Sequence, residues 1–314
     1  MKNVKVELIS YTENPIETLY HIWQVSRGVG LEGVLPSDFK RLAQTDPTFR
    51  EKMEKLFLDI LNSAIPVSEN INFTFTLHNI SIALREQLVR HRIGVKHGES
   101  MGIDLIPELS SSTFWAQSMR ILDMGNFVID GGYEIPKSIL QKGEQAIEAY
   151  QTFMASSAQV YKYLVDIGIP QEDARMVIPL AATHTITWTL NLSSLQHILK
   201  KRGCWILQLG LWEPIIRGIV EELSTKVSPL FHALIQPPCV KAGKYTGCCF
   251  ILDNERRVDG RDPLPPCVIY EKKERTALGL FDKVPNNDKR LLQLYTQMRK
   301  DYESLWGFKV EDLK

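Results

Sequence analysis

No sign of charge predominates in this sequence of 314 residues: 37 Lys and Arg stand against 37 Asp and Glu, a formal net charge of +0 at pH 7. A balanced chain has no global field to draw it to nucleic acid or to an anionic membrane, so anion binding must come from local clusters. Long apolar runs are missing too. No stretch approaches the ~18 apolar residues of a membrane helix, and the opening MKNVKVELISYTENP lacks the charged-then-apolar pattern of a secretory leader. The expectation is a cytoplasmic protein with neither a membrane nor a nucleic acid as partner. Cysteine is sparse, at five, and four of the five lie in the C-terminal third: Cys239, Cys248, Cys249 and Cys267. No C-x2-C pair occurs among them, so reduced buried or loop thiols are the plainer reading beside a four-cysteine zinc set, and no metal is expected. A G-x-x-x-x-G-K-[ST] phosphate loop is also absent.

What is present is ordinary globular material, 44% hydrophobic and 24% charged, enough to bury a core without staples. Residues 3–10 alternate as a short strand, with Val4, Val6 and Leu8 on one face. Pro15 opens a helix through Leu19, Ile22 and Trp23, and residues 39–63 carry apolar positions at helical spacing. The stretch INFTFTLHNIS alternates strictly and predicts a strand, running into a helix IALREQLVRHR whose last turn carries Arg90, His91 and Arg92. Residues 98–114, with Gly98, Gly102, Pro107 and three serines, read as a loop or insertion, followed by a strand near 120–128 and a turn at 130–132. Helices are expected over about 137–168, 171–176 and 205–224. VIPLAATHTITWTLNL reads as a strand, and SSLQHILKKR as a helix with Ser193 or Ser194 as N-cap. Residues 236–270 look irregular, and Leu291, Tyr295, Met298, Tyr302 and Leu305 mark a closing helix. Without regular βαβ alternation the fold class is α+β.

Two basic clusters, Arg90-His91-Arg92 and Lys200-Lys201-Arg202, sit at helix ends, with Arg175 before one strand and Arg120 within another. Arginine forks match phosphate and planar imide edges bidentately, which suits a nucleotide; surface ion pairs at favourable helix C-termini are the competing reading. Gln87, three residues before Arg90, shares its helical face and offers both a donor and an acceptor to a pyrimidine edge. A metal site from His91, His97, Glu99 and His78 is disfavoured by the flanking Arg90, Arg92 and Lys96, which would repel a dication.

These segments resemble the flavin-dependent thymidylate synthases, a family marked by R-H-R followed by a serine in an S-x-R-Y segment. Arg90-His91-Arg92 after Gln87-Leu88-Val89 supplies the first part, and Glu69-Asn70 ahead of Phe73-Thr74-Phe75 matches the family's E-H-x-x-F-T-F. DARMVIPL resembles its A-R-x-x-L-P, and TLNLSSLQHILKKR its asparagine-bearing strand and following helix. The resemblance spans about residues 4–225. It implies a central twisted, mainly antiparallel sheet flanked by helices, with a catalytic domain over 1–230 and an extension over 231–314. The motif serine is taken as Ser118 in Q-S-x-R, beyond an insertion, with Ser100 as second choice.

By resemblance the activity is methylation of dUMP to dTMP, with FAD as cofactor, NADPH and methylenetetrahydrofolate as co-substrates, and a homotetramer sharing its active sites. The same resemblance makes Arg202 and Ser118 the catalytic pair. Gln87, Arg90, Gln117, Arg120 and Arg175 join them in holding substrate, while Asn70, Arg90, His91, Arg92, Asn191, Ser193 and His197 would contact the cofactor. No catalytic cysteine is needed, and Cys204 beside Arg202 reads as a plain helix residue. The chain departs from the family at Asn70 (histidine there), Ala116 (acidic or amide), Ile121 (tyrosine), Ser193 (often arginine) and His197 (asparagine). Those departures leave room for another pyrimidine nucleotide, for hydroxymethyl transfer, or for a nucleotide-binding protein without turnover.

Overall fold

The computed structural model describes residues 3–62, 66–91, 112–118, 123–140, 142–202, 211–235, 240–241 and 244–245. Four strands, β1 (Lys5–Tyr11), β2 (Asn72–Ser81), β3 (Ser112–Ala116) and β4 (Thr183–Asn191), form one sheet in the order β1-β2-β4-β3. Every pairing in it is antiparallel. Strict alternation in β2 and β4 sends Phe73, Phe75 and Leu77 to the same face as Ile186, Trp188 and Leu190, all at most 1% exposed. The opposite face carries threonines that meet across the strands, Thr74 with Thr189 at 3.0 Å and Thr76 with Thr187 at 3.5 Å. Together with the helices below, this is the expected α+β class with an antiparallel sheet.

Three helices precede β2: α1 (Pro15–Ser26), α2 (Pro36–Thr45) and α3 (Pro47–Asn62). The single helix expected over 39–63 is thus two, and the cause is local. Asp46 precedes a proline and is extended (φ −118°, ψ 100°), and its Oδ1 accepts from Thr48 N and Phe49 N at 2.9 and 3.1 Å, capping the second helix. Residues 28–33 spell G-x-G-x-x-G, but they follow a helix rather than a strand, and Gly28 and Gly33 take left-handed φ values of 77° and 74°. The dinucleotide fingerprint needs a strand before the glycines, so this string is a connecting loop.

One extra residue in β2 decides where the chain goes next. Between Leu77 and Ile80 the register against β4 slips, with Asn79 in the left-handed region (φ 57°) and its amide donating to Asn3 O at 2.9 Å. The alternation therefore inverts, so that Ile80, not Asn79, is buried. The strand then turns directly into α4 (Ile82–Leu88), whose N-cap Ser81 accepts from Leu84 N at 3.4 Å. Ile82 N and Ala83 N donate to the carbonyls of Ala182 and Leu180, fixing the first turn of α4 to the segment leading into β4. The helix stops at Leu88, so Arg90 and His91 lie in the turn beyond it rather than in its last turn as expected.

The strand expected near 120–128 is overturned. Residues 125–131 are turns, held by Asp123 Oδ1 accepting from Gly125 N and by Gly132 N donating to Phe127 O; the strand lies earlier, at β3, where a loop was expected. The helix expected over 137–168 divides at Gly143 (φ 94°) into α5 (Lys137–Leu140) and α6 (Glu144–Asp166). Met154, Ala158 and Tyr161 of α6 pack with Phe127, Tyr133 and Ile135 into a second core. α7 (Gln171–Ala174) and a 3-10 turn, Arg175–Val177, lead to β4, which begins at Thr183 rather than at Val177.

α8 (Leu192–Arg202) follows β4 directly, and Asn191, not a serine, caps it, its Oδ1 accepting from Ser194 N at 2.8 Å. Leu192, Leu195, Ile198 and Leu199 join the sheet's buried face, as do Ile215, Ile216, Ile219 and Leu223 of α9 (Glu213–Lys226). α9 starts with Pro214 in its first turn and comes so near β1 that a Cβ on Gly218 would lie 2.6 Å from Val6 Cγ2. A 3-10 turn over Pro229–Ile235 adds Phe231 and Leu234 to the same core, and β5 (Val240–Lys241) pairs with β6 (Lys244–Tyr245) in a two-residue ladder. The expected closing helix and the four C-terminal cysteines lie outside the described residues. Among the described residues no helix is long and apolar enough to cross a membrane.

Candidate functional site

α4 and α8 leave opposite ends of the paired strands β2 and β4, because those strands are antiparallel and each helix follows its strand directly. Their far ends nevertheless meet. Leu84 and Leu88 seat α4 on the core and leave Gln87 half-buried on the adjoining face. There Arg202, the last residue of α8, donates from Nε to His91 Nε2 at 2.9 Å and from Nη1 to Gln87 Oε1 at 3.4 Å. Trp212, immediately before α9, donates its indole N–H to the same Gln87 Oε1 at 2.9 Å. Its ring lies 4.8 Å from the Arg202 guanidinium carbon and meets the His91 ring edge-on at 5.7 Å and 90°. Three elements thus converge on four side chains.

The hydrogen bonds fix protonation and orientation. Arginine Nε can only donate, so His91 Nε2 is the acceptor and the neutral ring carries its proton on Nδ1. Partial burial pulls the Arg202 pKa down from its ordinary value, but a guanidinium remains cationic at neutral pH. The result is a half-buried cation against an aromatic wall, flanked by an amide and an imidazole. Such a donor set suits a planar ligand with carbonyl oxygens on its edge.

Of the residues singled out from sequence, Gln87, His91 and Arg202 are brought together here. Arg90 is exposed in the turn beside them. Arg175 is half-buried and held locally, its Nε donating to Glu172 O at 2.9 Å and its Nη2 lying 3.8 Å from Glu172 Oε1; no described contact joins it to Arg202. Asn191 is occupied as the α8 cap, while Ser193 is 2% exposed with a buried Oγ that has no hydrogen-bond partner among the described residues. His197 is half-buried on α8, and Asn70 is exposed, donating to Val67 O at 3.1 Å. Gln117 continues the β3 pairing past its end, exchanging bonds with Thr185 through its N–H at 3.0 Å and its Oε1 at 2.8 Å, and so presents exposed Ser118 at the sheet margin.

Arg92, Ser100, Arg120 and Cys204 lie outside the described residues. His78 is engaged by Glu7 at 2.9 Å and by Thr185 at 3.4 Å, and among the described residues no group of three potential metal ligands occurs. Trp212 is the residue that sequence reasoning missed. Its signal was faint, a tryptophan ahead of the Glu213-Pro214 helix start, since its partner Gln87 lies 125 positions away.

The profile of the family described as thymidylate synthase complementing protein matches residues 7–223, which includes every member of this cluster. The chain belongs to that family. Flavin-dependent thymidylate synthases are its relatives: that of Pyrococcus furiosus is 27% identical over 248 residues, covering 76% of this chain and 88% of the relative. That of Geobacter sulfurreducens is 32% identical over 186 residues, 58% of this chain and 67% of the relative. Two solved structures share the fold. A UMP/dUMP methylase, PolB, of Streptomyces cacaoi superposes with a TM-score of 0.52 at 16% identity, covering 74% of this chain and 95% of that one. The flavin-dependent thymidylate synthase ThyX of Helicobacter pylori, complexed with FAD and dUMP, gives 0.50 at 14% identity, covering 74% and 100%. This member of the flavin-dependent thymidylate synthase family is accordingly an enzyme.

Proposed function

We propose that the chain methylates dUMP to dTMP, with FAD as its resident cofactor and NADPH and methylenetetrahydrofolate as co-substrates. The observation that carries this reading is the Gln87–His91–Arg202 cluster, assembled from the two separate segments, 87–92 and 189–202, on which the resemblance to the family rests. Uracil and the pyrimidine ring of a flavin both present a C=O–N–H–C=O edge, and a planar guanidinium beside a planar amide matches that edge in donor type and shape. FAD, when bound, supplies the hydride that the transfer of a methyl group requires.

The chain's own part is positioning and charge. Arg202, oriented by His91 and Gln87, would stabilise negative charge developing along O4–C4–N3–O2 of the uracil and so make C5 nucleophilic. Arg120 and Arg175 would hold the phosphate, with Ser118 and Gln117 contacting substrate from the β3 margin. Arg90, His91, Arg92, Asn191, Ser193, His197 and Asn70 would line the flavin side. The homotetramer with shared active sites that the resemblance implies would bring residues of more than one subunit to each site.

The test is a visible absorption spectrum of the purified protein with FAD, before and after NADPH, then product analysis with dUMP and methylenetetrahydrofolate. A bound flavin that bleaches with NADPH, with dTMP formed, supports the reading. A protein that ignores FAD and forms no dTMP or other C5-modified nucleotide overturns it.

A further inference from the structure

We infer that Trp212 is a positioning residue that locks the Gln87 amide in one orientation, and that this lock makes the site select uracil over cytosine. The inference rests on the pyrimidine-nucleotide reading above. The two groups that meet Gln87 Oε1, the Trp212 indole N–H at 2.9 Å and Arg202 Nη1 at 3.4 Å, are both donors and nothing else. The atom between them must therefore be the amide oxygen, and the N–H2 end of the planar group is the end left to offer. Rotating the amide by half a turn would set its N–H2 against two donors and lose both bonds.

Trp212 holds its side of the arrangement rigidly. It is 1% exposed, packed into the main core beside the start of α9, and wedged against both the Arg202 guanidinium and the His91 ring. An amide fixed as a donor complements a carbonyl oxygen such as uracil O4. It opposes the 4-amino group of cytosine, where N–H would face N–H. A free glutamine could serve either base by turning over; this one cannot. Discrimination of this type is strong because the wrong base leaves a buried polar group unpaired.

The experiment compares dUMP with dCMP binding by calorimetry on the full chain loaded with FAD. In the native protein dUMP is preferred. Trp212→Phe keeps a ring against Arg202 but removes the N–H, freeing the amide to turn, and the preference should fall about tenfold, equivalent to about 1.4 kcal/mol. Gln87→Glu, which accepts from both donors and offers none, should lower the preference at least as far, and it answers the question if Trp212→Phe does not fold. A general structural role would weaken both nucleotides alike and leave the ratio alone. An unchanged ratio in either folded variant overturns the lock while the pyrimidine reading stands. A native protein that binds neither nucleotide overturns that reading and the lock with it.

Discussion

Replacing Gly218 with alanine should destabilise the protein, although alanine is the better helix former by about 1 kcal/mol. The added Cβ would lie 2.6 Å from Val6 Cγ2 and 2.8 Å from Val6 Cβ, far inside contact distance. Neither partner can yield cheaply. Val6 is paired with Leu77 in the sheet and 7% exposed, and one turn beyond Gly218 the Glu222 carboxylate accepts from Leu8 N at 2.5 Å, tying α9 to β1. Overpacking of this kind costs about 1–3 kcal/mol, and the 2.6 Å approach puts it at the upper end, so after the helix gain of about 1 kcal/mol a net loss of up to about 2 kcal/mol is expected. Val6→Ala alone should cost about 2 kcal/mol for two buried methyl groups. The double variant should be at least about 2 kcal/mol more stable than the sum of the two losses, because the new methyl fills the space vacated by the old ones. Urea unfolding followed by circular dichroism measures all four proteins. A stabilised Gly218→Ala, or additivity within about 0.5 kcal/mol, would refute the argument that α9 is seated by this glycine.

Arg202→Ala should leave the fold intact and cut kcat/KM by a factor of about 100 or more, since a charged contact made to the transition state contributes about 3 kcal/mol; near-normal turnover would remove Arg202 from the chemistry. Ser118→Ala should impair the reaction more than Ser100→Ala, and the reverse order in steady-state kinetics would move the motif serine across the insertion. His184 faces the core from β4 at 6% exposure, and burial first, then the nearby Arg85 charge, lowers its pKa to about 4. A base with a depressed folded pKa favours the fold fully above its unfolded value, near 6.5, and that contribution disappears as pH falls towards 4, roughly 3 kcal/mol in all. His184→Leu should flatten the stability profile between pH 6.5 and 5, and an unchanged slope in thermal melts there would show that another group titrates.

Much of the sheet was legible because β2 and β4 write their burial in strict alternation. The helix interruptions were less so, although Asp46-Pro47 and Gly143 carry local signals that a count of apolar positions overrides. β3 was misplaced because five residues of S-T-F-W-A after a serine run give too short a period to distinguish from loop. At the site, Gln87, His91 and Arg202 could be singled out through motif order and side-chain chemistry, but not through any cue that they touch. Asn191 and Ser193 were indistinguishable in sequence as cap or ligand. Trp212 was hidden for a simpler reason: an indole in an apolar context reads as core, and its bond to Gln87 exists only once α9 is docked.

The approach of α4 and α8 from opposite ends of the sheet works as a gauge. Nine residues of β4 span about 30 Å, while the 11 residues of α8 and the 7 of α4 run about 16 and 10 Å, so the two tips close on each other with little to spare. Adding one residue to α8 would advance Arg202 by about 1.5 Å and swing it through about 100°, away from Gln87 and His91. A change of length inside either strand–helix unit would therefore undo the meeting of Gln87, His91 and Arg202, because β4, α8 and α4 themselves set the gap.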